Sequence, residues 1–209
     1  MTTVTDIVEE IKSDLVLSGS DYDAQLVRAV QTALRELRGR RFWFLETFGT
    51  LTATASSETI EIASTYSDFG ALKSIDLIAD SRRYYNRLGF DLLKFDLLRE
   101  RYWTNGTIET GQPKACALLG KSTLKLSHKA GSAYSLPIVY YKQDATIPGA
   151  GGTSVWFDDG IDVVRSRAQY IFKRDAQGMT LQESDGDMVL MAERALSDAH
   201  LSMIVGESY

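Results

Sequence analysis

A single cysteine, Cys116, occurs in the 209 residues of this chain. One thiol cannot build an intrachain disulfide framework, and its isolation fits a chain folded in a reducing compartment. No apolar run approaches the roughly 20 residues a membrane span needs. The opening stretch, MTTVTDIVEEIKSDL, is acidic and amphipathic, without the basic start and apolar stretch of a secretory signal. Histidine is equally scarce. His128 and His200 are the only two, and neither has cysteine, histidine or carboxylate neighbours at metal-ligand spacing. Positive charge is not in excess either. The net charge is −5, with ten acidic and five basic side chains in residues 157–209 and a balance of signs elsewhere. A chain with no basic face is poorly suited to gripping many phosphates. Its acidic C-terminal block suits a surface that must not stick to DNA, although ordinary solvated helix faces give the same pattern.

Signatures of catalysis are missing as well. Cys116 lies in an apolar run and reads as a small core residue. A pairing with His128 across adjacent strands is geometrically open, but no motif supports it. The GAGG run at 149–152 lacks the lysine of a phosphate-binding loop. Asp158 and Asp159 read as helix caps rather than as a catalytic carboxylate pair. Asp68-Phe69-Gly70 stands without the glycine-rich loop, lysine strand or catalytic loop of a kinase. ESDGD at 183–187 is too short for a calcium loop. No cofactor or metal is expected, and the chain does not read as an enzyme.

What remains is organisation. The composition, 44% hydrophobic and 24% charged, is that of a globular chain, and the length suits one domain or a domain carrying an inserted module. The first forty residues read as two helices. Thr3 or Thr5 caps the first, with Ile7, Ile11 and Leu15 on one stripe. Ser20, Asp21 or Asp23 caps the second, which carries Leu26, Val30, Ala33, Leu34 and Leu37 and ends at Gly39. Phe42, Trp43 and Phe44 follow a basic pair. They read either as stacking platforms for nucleic-acid bases or as an aromatic cluster fixing the helical block against the strands. The lack of a wider basic groove favours the cluster.

From Thr47 the period changes to two. GTLTAT and ETIEIA are predicted as strands joined by a turn at ASS, with Leu51, Ile60 and Ile62 on the buried side. ALKSIDLIA is predicted as a third strand of the same meander. Arg82–Leu88 reads as an exposed basic-aromatic strand or turn. Asp91 is predicted to cap a short helix over LLKFDLLRERY. KACALLG, STLKLSH and LPIVYYK supply three more strands, with Gly120 and KAGSAYS as hairpin connections. DATIPGAGGTS reads as a flexible exit. Two C-terminal helices follow. The first is capped by Asp158 or Asp159 and has the stripe Ile161, Val164, Ala168 and Ile171. The second begins after QESDGD, with caps among Ser184–Asp187 and the stripe Met188, Met191, Ala192, Ala195, Leu196, Ala199 and Met203. Methionine and alanine on one face allow close, adaptable packing. The end of the chain reads as a short tail. The predicted fold class is therefore α+β. A helical bundle of residues 1–46 and 155–209 surrounds a central antiparallel β-rich module, 47–154, inserted with one short helix.

The ordered set of these pieces is more specific than any one of them. ALRELRGRRFWFLE closes the N-terminal helix pair, and YSDFGALKSIDLI and a short helix follow. Then comes a ladder of Gly111, Pro113, Leu118, Gly120, Leu124, Leu126, Tyr134, Leu136, Tyr140 and Tyr141. VWFDDGIDVVRSRAQYIFKRDA and a final helix complete it. This layout resembles the head-to-tail adaptor proteins of tailed bacteriophages, which form a ring under the portal at the capsid vertex. The resemblance implies a structural virion protein of the head-tail neck, made in the host cytoplasm. It implies a homo-oligomeric ring of about twelve copies, matching portal symmetry, that binds the portal protein and tail or further neck proteins. Genomic DNA would pass through the lumen without specific binding. Rings arise from heterologous contacts whose rotation closes. On this basis Met188, Met191, Ala192, Ala195 and Ala199 are candidates for ring packing. Met203, Ile204, Val205 and Tyr209 are candidates for portal contact, as a tail that orders on binding. Two other functions stay open at this point. One is a nucleic-acid-binding module using Arg40–Phe44 and Arg82–Arg87, and the other is a hydrolase using Cys116 or His128.

Overall fold

The computed structural model describes residues 2–80, 82–84, 90–104, 106–176 and 182–206, apart from the side chains of Glu183 and residues 199–206. The chain divides into two units, Met1–Leu45 with Thr146–Tyr209, and Glu46–Ala145.

The first unit is helical. Thr3 opens α1 (Val4–Asp14) with a reciprocal cap. The Asp6 N–H donates to Thr3 Oγ1 (3.2 Å) and the Thr3 N–H donates to Asp6 Oδ2 (2.7 Å). The next orphan donors of the first turn are met by the returning chain. The Val4 N–H donates to the Gly152 carbonyl at 3.0 Å and the Thr5 N–H to the Ala150 carbonyl at 2.9 Å. The glycine-rich run predicted as a flexible exit is thus fastened to a helix N-terminus, where carbonyls are favoured partners. Gly152 is needed there, because a Cβ would lie 2.7 Å from the Pro148 Cβ. The exposed end of α1 carries strain. The Val16 N–H donates to the Ser13 carbonyl (3.2 Å) and the Leu17 N–H to the Lys12 carbonyl (2.9 Å). This is a Schellman ending, whose left-handed position glycine normally fills. Here it is Val16, at φ 55° and 90% exposed. The left-handed region costs a β-branched residue about 1–2 kcal/mol.

α2 (Asp23–Leu37) buries Leu26, Ala29, Val30, Ala33, Leu34 and Leu37, the stripe its spacing predicts plus one alanine. Its start differs from expectation. Asp23 is the first helical residue and Tyr22 precedes it with no side-chain cap. Asp23 instead pairs with Lys12 of α1 at 2.9 Å. α5 (Ile161–Asp175) packs against α2, and α6 (Glu183–Gly206) packs against α5. Asp158 and Asp159 do not cap α5. Gly160 holds that position, because a Cβ there would meet the rings of Trp156 at 2.8 Å and Phe44 at 2.9 Å. The α6 caps are also corrected. Ser184–Asp187 lie inside the helix, and residues 203–206, predicted as tail, continue it. No proline interrupts that stretch, so the helical period runs on.

The second unit is built from sheets. β1 (Glu46–Ala53) pairs antiparallel with β11 (Tyr134–Lys142) along its whole length. The other edge of β11 takes β3 (Phe69–Ile75) and β4 (Leu77–Ala79), and β5 (Arg82–Tyr84) pairs with β4. ALKSIDLIA is therefore two strands, broken at Asp76, whose N–H donates to the Pro137 carbonyl at 2.9 Å. Proline sits at the break because no donor is needed there. A second sheet has the order β2 (Thr59–Glu61), β9 (Thr123–Leu126), β8 (Ala115–Leu119), β6 (Asp91–Leu93). β7 (Thr110–Gly111) pairs with β10 (Lys129–Ala130).

Several expectations change here. β1 and β2 are not a hairpin, because β2 pairs with β9 in the other sheet. The strand predicted through Ile62 becomes the short helix α3 (Ile62–Thr65). Asp91 begins a strand rather than a helix, and α4 (Phe95–Tyr102) starts after Lys94. KAGSAYS does not join a hairpin, since β9 and β11 belong to different sheets, whereas Gly120, at φ 61°, does turn β8 into β9. The module is not wholly antiparallel: β6 with β8 and β7 with β10 run parallel. The class α+β stands, with six helices among the described residues.

The two sheets share one core that includes Leu51, Leu136 and Ile138 from one side and Cys116, Leu124 and Leu126 from the other. β8 is covered on both faces. Cys116 points into this core, while Ala115 and Ala117 meet Leu98 of α4. Alanine lets the helix approach the strand closely, which explains the small residues of ACALL. Tyr66 fixes the outer edge of β1. Its hydroxyl accepts from the Thr50 N–H (2.6 Å) and donates to the Thr50 carbonyl (3.0 Å). That approach requires Gly49, where a Cβ would lie 2.6 Å from the Tyr66 ring. Gly49→Ala is expected to push the ring away and break both bonds, costing about 2 kcal/mol as an overpacking change. A thermal melt checks it: a fall of several degrees is expected, and an unchanged Tm contradicts the account.

Candidate functional site

The candidate site is the outer face of α6. Helical spacing divides this helix into two faces. Asp185 and Val189 are buried, and Ala192, Glu193 and Leu196 are half-buried on the same side. Met188 (43%), Met191 (67%) and Ala195 are exposed in one line. The Met-Ala stripe predicted as a packing face is thus turned away from the rest of the chain, except at Ala192. Leu190, 51% exposed, lies on a further side of the helix. Ala199, Met203, Ile204 and Val205 occupy helical backbone, but their side chains lie outside the described residues, as do residues 207–209 and so Tyr209. The structure therefore brings together Met188, Met191, Ala192 and Ala195, and describes no contact for the portal-contact candidates.

One ion pair seats this helix. Lys173 Nζ, in the last turn of α5, lies 2.6 Å from Asp185 Oδ1. Asp185 Oδ2 also accepts from the Gln182 N–H at 2.9 Å, and the Asp185 N–H donates to the Gln182 carbonyl at 3.0 Å. The carboxylate faces a helix N-terminus and the ammonium a helix C-terminus, so both macrodipoles favour the pair. The Lys173 hydrogen bond holds the Asp185 carboxyl below its ordinary range, and the Gln182 N–H adds to this. Further along, Arg40 Nη2 lies 3.9 Å from Glu193. No sequence signal marked Lys173 and Asp185: the aspartate looked like one of several cap candidates in a polar run. A groove of about 460 Å³ beside them is lined by Arg40, Arg167, Tyr170, Val189, Leu190 and others.

The alternative sites resolve differently. Phe42 and Phe44 stack at 5.9 Å, and each meets Trp156 edge-on, at 5.6 and 5.4 Å. Their faces are occupied by one another and by a buried tryptophan of the same helical unit, which leaves little ring surface for bases. Arg83 pairs with Asp76 at 2.6 Å. Arg82 and Tyr84 sit on β5, and Tyr85–Arg87 lie outside the described residues. Cys116 is fully buried, and burial pushes its thiol up to about 12. It stays protonated and has no nucleophilic character at neutral pH. His128 contacts Ser127, whose Oγ accepts from the Lys114 N–H (2.9 Å) and the Ala115 N–H (3.1 Å). With both lone pairs engaged, the hydroxyl hydrogen points to His128 Nδ1, 2.9 Å away. Ser127 is wholly buried and anchors backbone rather than attacking a substrate. Among the described residues no cluster of three or more His, Cys, Asp or Glu could hold a metal ion. No described helix is long and apolar enough to cross a membrane.

The described part of α6 thus has one side held by an ion pair and one apolar line left exposed. The sequence model of the SU10 adaptor protein family matches residues 2–199. The chain belongs to that family, one of bacteriophage head-tail adaptors. No curated protein matches it.

Two measurements test the site's electrostatics. A carboxyl whose folded pKa is depressed adds stability above its unfolded pKa, and that stability is lost as pH falls through the folded value. Asp185→Asn at neutral pH is expected to speed amide exchange along the start of α6 by on the order of tenfold or more. Acidification of the native chain below the ordinary aspartate range reproduces the effect; equal exchange in both proteins contradicts the clamp. His128 is depressed from its ordinary 6.5, mainly by burial and then by Lys114. Its contribution to stability is present above 6.5 and is lost as pH falls below that value. An NMR titration of the His128 ring is expected to show a midpoint under 6.5; a midpoint above it contradicts the effect of burial and Lys114 on this ring.

Proposed function

We propose that this adaptor is a structural virion protein that assembles as a ring on the portal and links the capsid vertex to the tail, enclosing part of the DNA channel. The observation that carries the reading is the exposed line of Met188, Met191 and Ala195 on a helix whose other face is already clamped. An apolar stripe of this kind is unfavourable in water, and a neighbouring subunit would cover it. In this reading Ala192 and Ala199 join the ring contact. Small side chains with methionine let helix backbones approach and adapt. In this reading residues 1–46 and 155–209 act as the ring-forming domain and 47–154 as an inserted module facing a partner. The helix end at Met203, Ile204 and Val205, with Tyr209, contacts the portal. The acidic C-terminal block keeps the lumen from gripping DNA, and about twelve copies match the portal.

The test is to mix the purified chain with its cognate assembled portal and weigh the complex by native mass spectrometry. One copy per portal subunit is expected, and failure to bind a correctly assembled portal overturns the reading. Met191→Glu sharpens it. The side chain is exposed in the free chain, so its Tm should stay within about 1 °C. Assembly should fall sharply, because a buried unpaired carboxylate is costly. Assembly equal to wild type removes this face from the interface.

A further inference from the structure

We propose that the open edge of β1 at Phe48 is a pairing site for an extended segment of another protein of the neck or tail, which adds to the sheet as one more strand. The inference rests on the reading above and deepens it, because it places the partner contact of the inserted module. The direction of the backbone carries it. Thr50 stands opposite Pro137 of β11, and proline has no N–H to donate. The Pro137 carbonyl is turned to the other side, where it accepts from the Asp76 N–H. Thr50 likewise turns its N–H and carbonyl away from β11, to the Tyr66 hydroxyl. The pairing of β1 with β11 runs without a register shift from Glu46 to Ala53. Backbone groups alternate in direction along such a strand, so Phe48, two residues before Thr50, also points its N–H and carbonyl outward. Among the described residues nothing bonds them. The Phe48 side chain at the same position is 83% exposed.

The two ends of this sheet differ. β5, the strand at the other end, is three residues long and carries exposed Arg82 and Arg83. Short length and charge keep an edge from pairing. β1 is eight residues long. Its one charged side chain, Glu46, is engaged by Lys73 at 2.6 Å, and Phe48, Thr50 and Thr52 are exposed beyond it. Tyr66 closes the edge at Thr50 and leaves the stretch before it open. An incoming strand satisfies the unpaired amide and carbonyl and covers the ring with one of its alternate side chains. The stretch before Thr50 takes about four residues of such a segment, uncharged opposite Phe48 and apolar on the side of the ring. A second copy of this chain fits less well. Its β5 edge is short and cationic, and two β1 edges paired together give a two-fold dimer instead of a ring.

The experiment uses the full chain on its cognate portal, with purified cognate tail proteins as the probe. In the complex without tail proteins the Phe48 amide is expected to exchange fast. Once they attach it should slow by about tenfold or more. Phe48→Lys puts a charge on the open edge. The Tm of the free chain should stay within about 2 °C, because the side chain is exposed. Portal binding should be unchanged, and attachment of tail proteins should fall by about tenfold or more. Tail proteins that attach while the Phe48 amide keeps its rate, or that attach equally well to Phe48→Lys, overturn the proposal and leave the ring reading standing. So does a wild-type complex that binds no tail protein. Phe48 protection that arises when the free chain dimerises puts a second β1 on this edge and overturns it too. Wild type that does not bind the portal defeats the ring reading itself. The free chain mixed with tail proteins then decides: protection of the Phe48 amide upholds the strand pairing, and its absence overturns it.

Discussion

The hydrogen bonds between the first turn of α1 and the Pro148–Gly152 loop close a unit made of two distant chain segments. The chain leaves the helical unit at Leu45 and returns at Thr146. On returning, it offers the Gly152 carbonyl to the Val4 N–H and the Ala150 carbonyl to both the N–H and the hydroxyl of Thr5. Gln31 of α2 reaches the Pro148 carbonyl at 3.0 Å. With Thr3 and Asp6 serving the third donor, the N-terminus of α1 is saturated. The returning segment is therefore in place before α5 begins. Trp156 can then meet Phe42 and Phe44, and Gly160 can start the helix against those rings. Arg165 of α5 pairs with Glu10 at 3.3 Å, and Gln169 bonds Asp14 of α1 at 2.6 Å. Loss of the loop contacts would free the α5 start and, through the Lys173–Asp185 pair, the seat of α6.

That chain of supports explains how a long helix keeps an apolar stripe in water without collapsing onto its own unit. α6 packs against α5; Lys173 of α5 holds Asp185, and Asp185 and Val189 are the buried residues among those described on α6. The clamp fixes rotation about the helix axis. A purely apolar seam would let the methionines roll inward, which would bury more surface. The charged pair thus holds the exposed orientation of Met188 and Met191. In the β unit, Tyr66 guards an edge strand that would otherwise present the amide and carbonyl of Thr50 to any neighbouring strand. The two units follow one logic, in which polar groups decide which surfaces stay open.

Much of this was legible in the sequence, for physical reasons that differ by element. α1, α2 and α5 each have one dry and one wet face, so the 3.6-residue period shows. β8, β9 and β11 were visible as alternating or apolar runs between turn residues. Partners were not visible. β1 matches β11 from Glu46–Tyr141 to Ala53–Tyr134, and nothing local distinguishes that from a hairpin with β2. Asp91 carries a strong cap signal that tertiary pairing with Ala115 overrides. The caps of α5 and α6 were misplaced because SDGD and DDG look like loop ends. A buried clamp and ring packing decided those boundaries. The Met-Ala stripe was legible as an apolar face, and the structure leaves Met188, Met191 and Ala195 of it exposed; periodicity reports which residues share a face and not which way the face turns. The strain at Val16 left no sequence trace at all.

The most direct measurement is oxidative footprinting of Met188 and Met191 by mass spectrometry, on the free chain and on the chain bound to its portal. The account predicts that both sulfurs oxidise readily in the free protein, as their exposure requires, and that both are protected in the complex. Equal oxidation in the two states would contradict the claim that this face is held open for assembly.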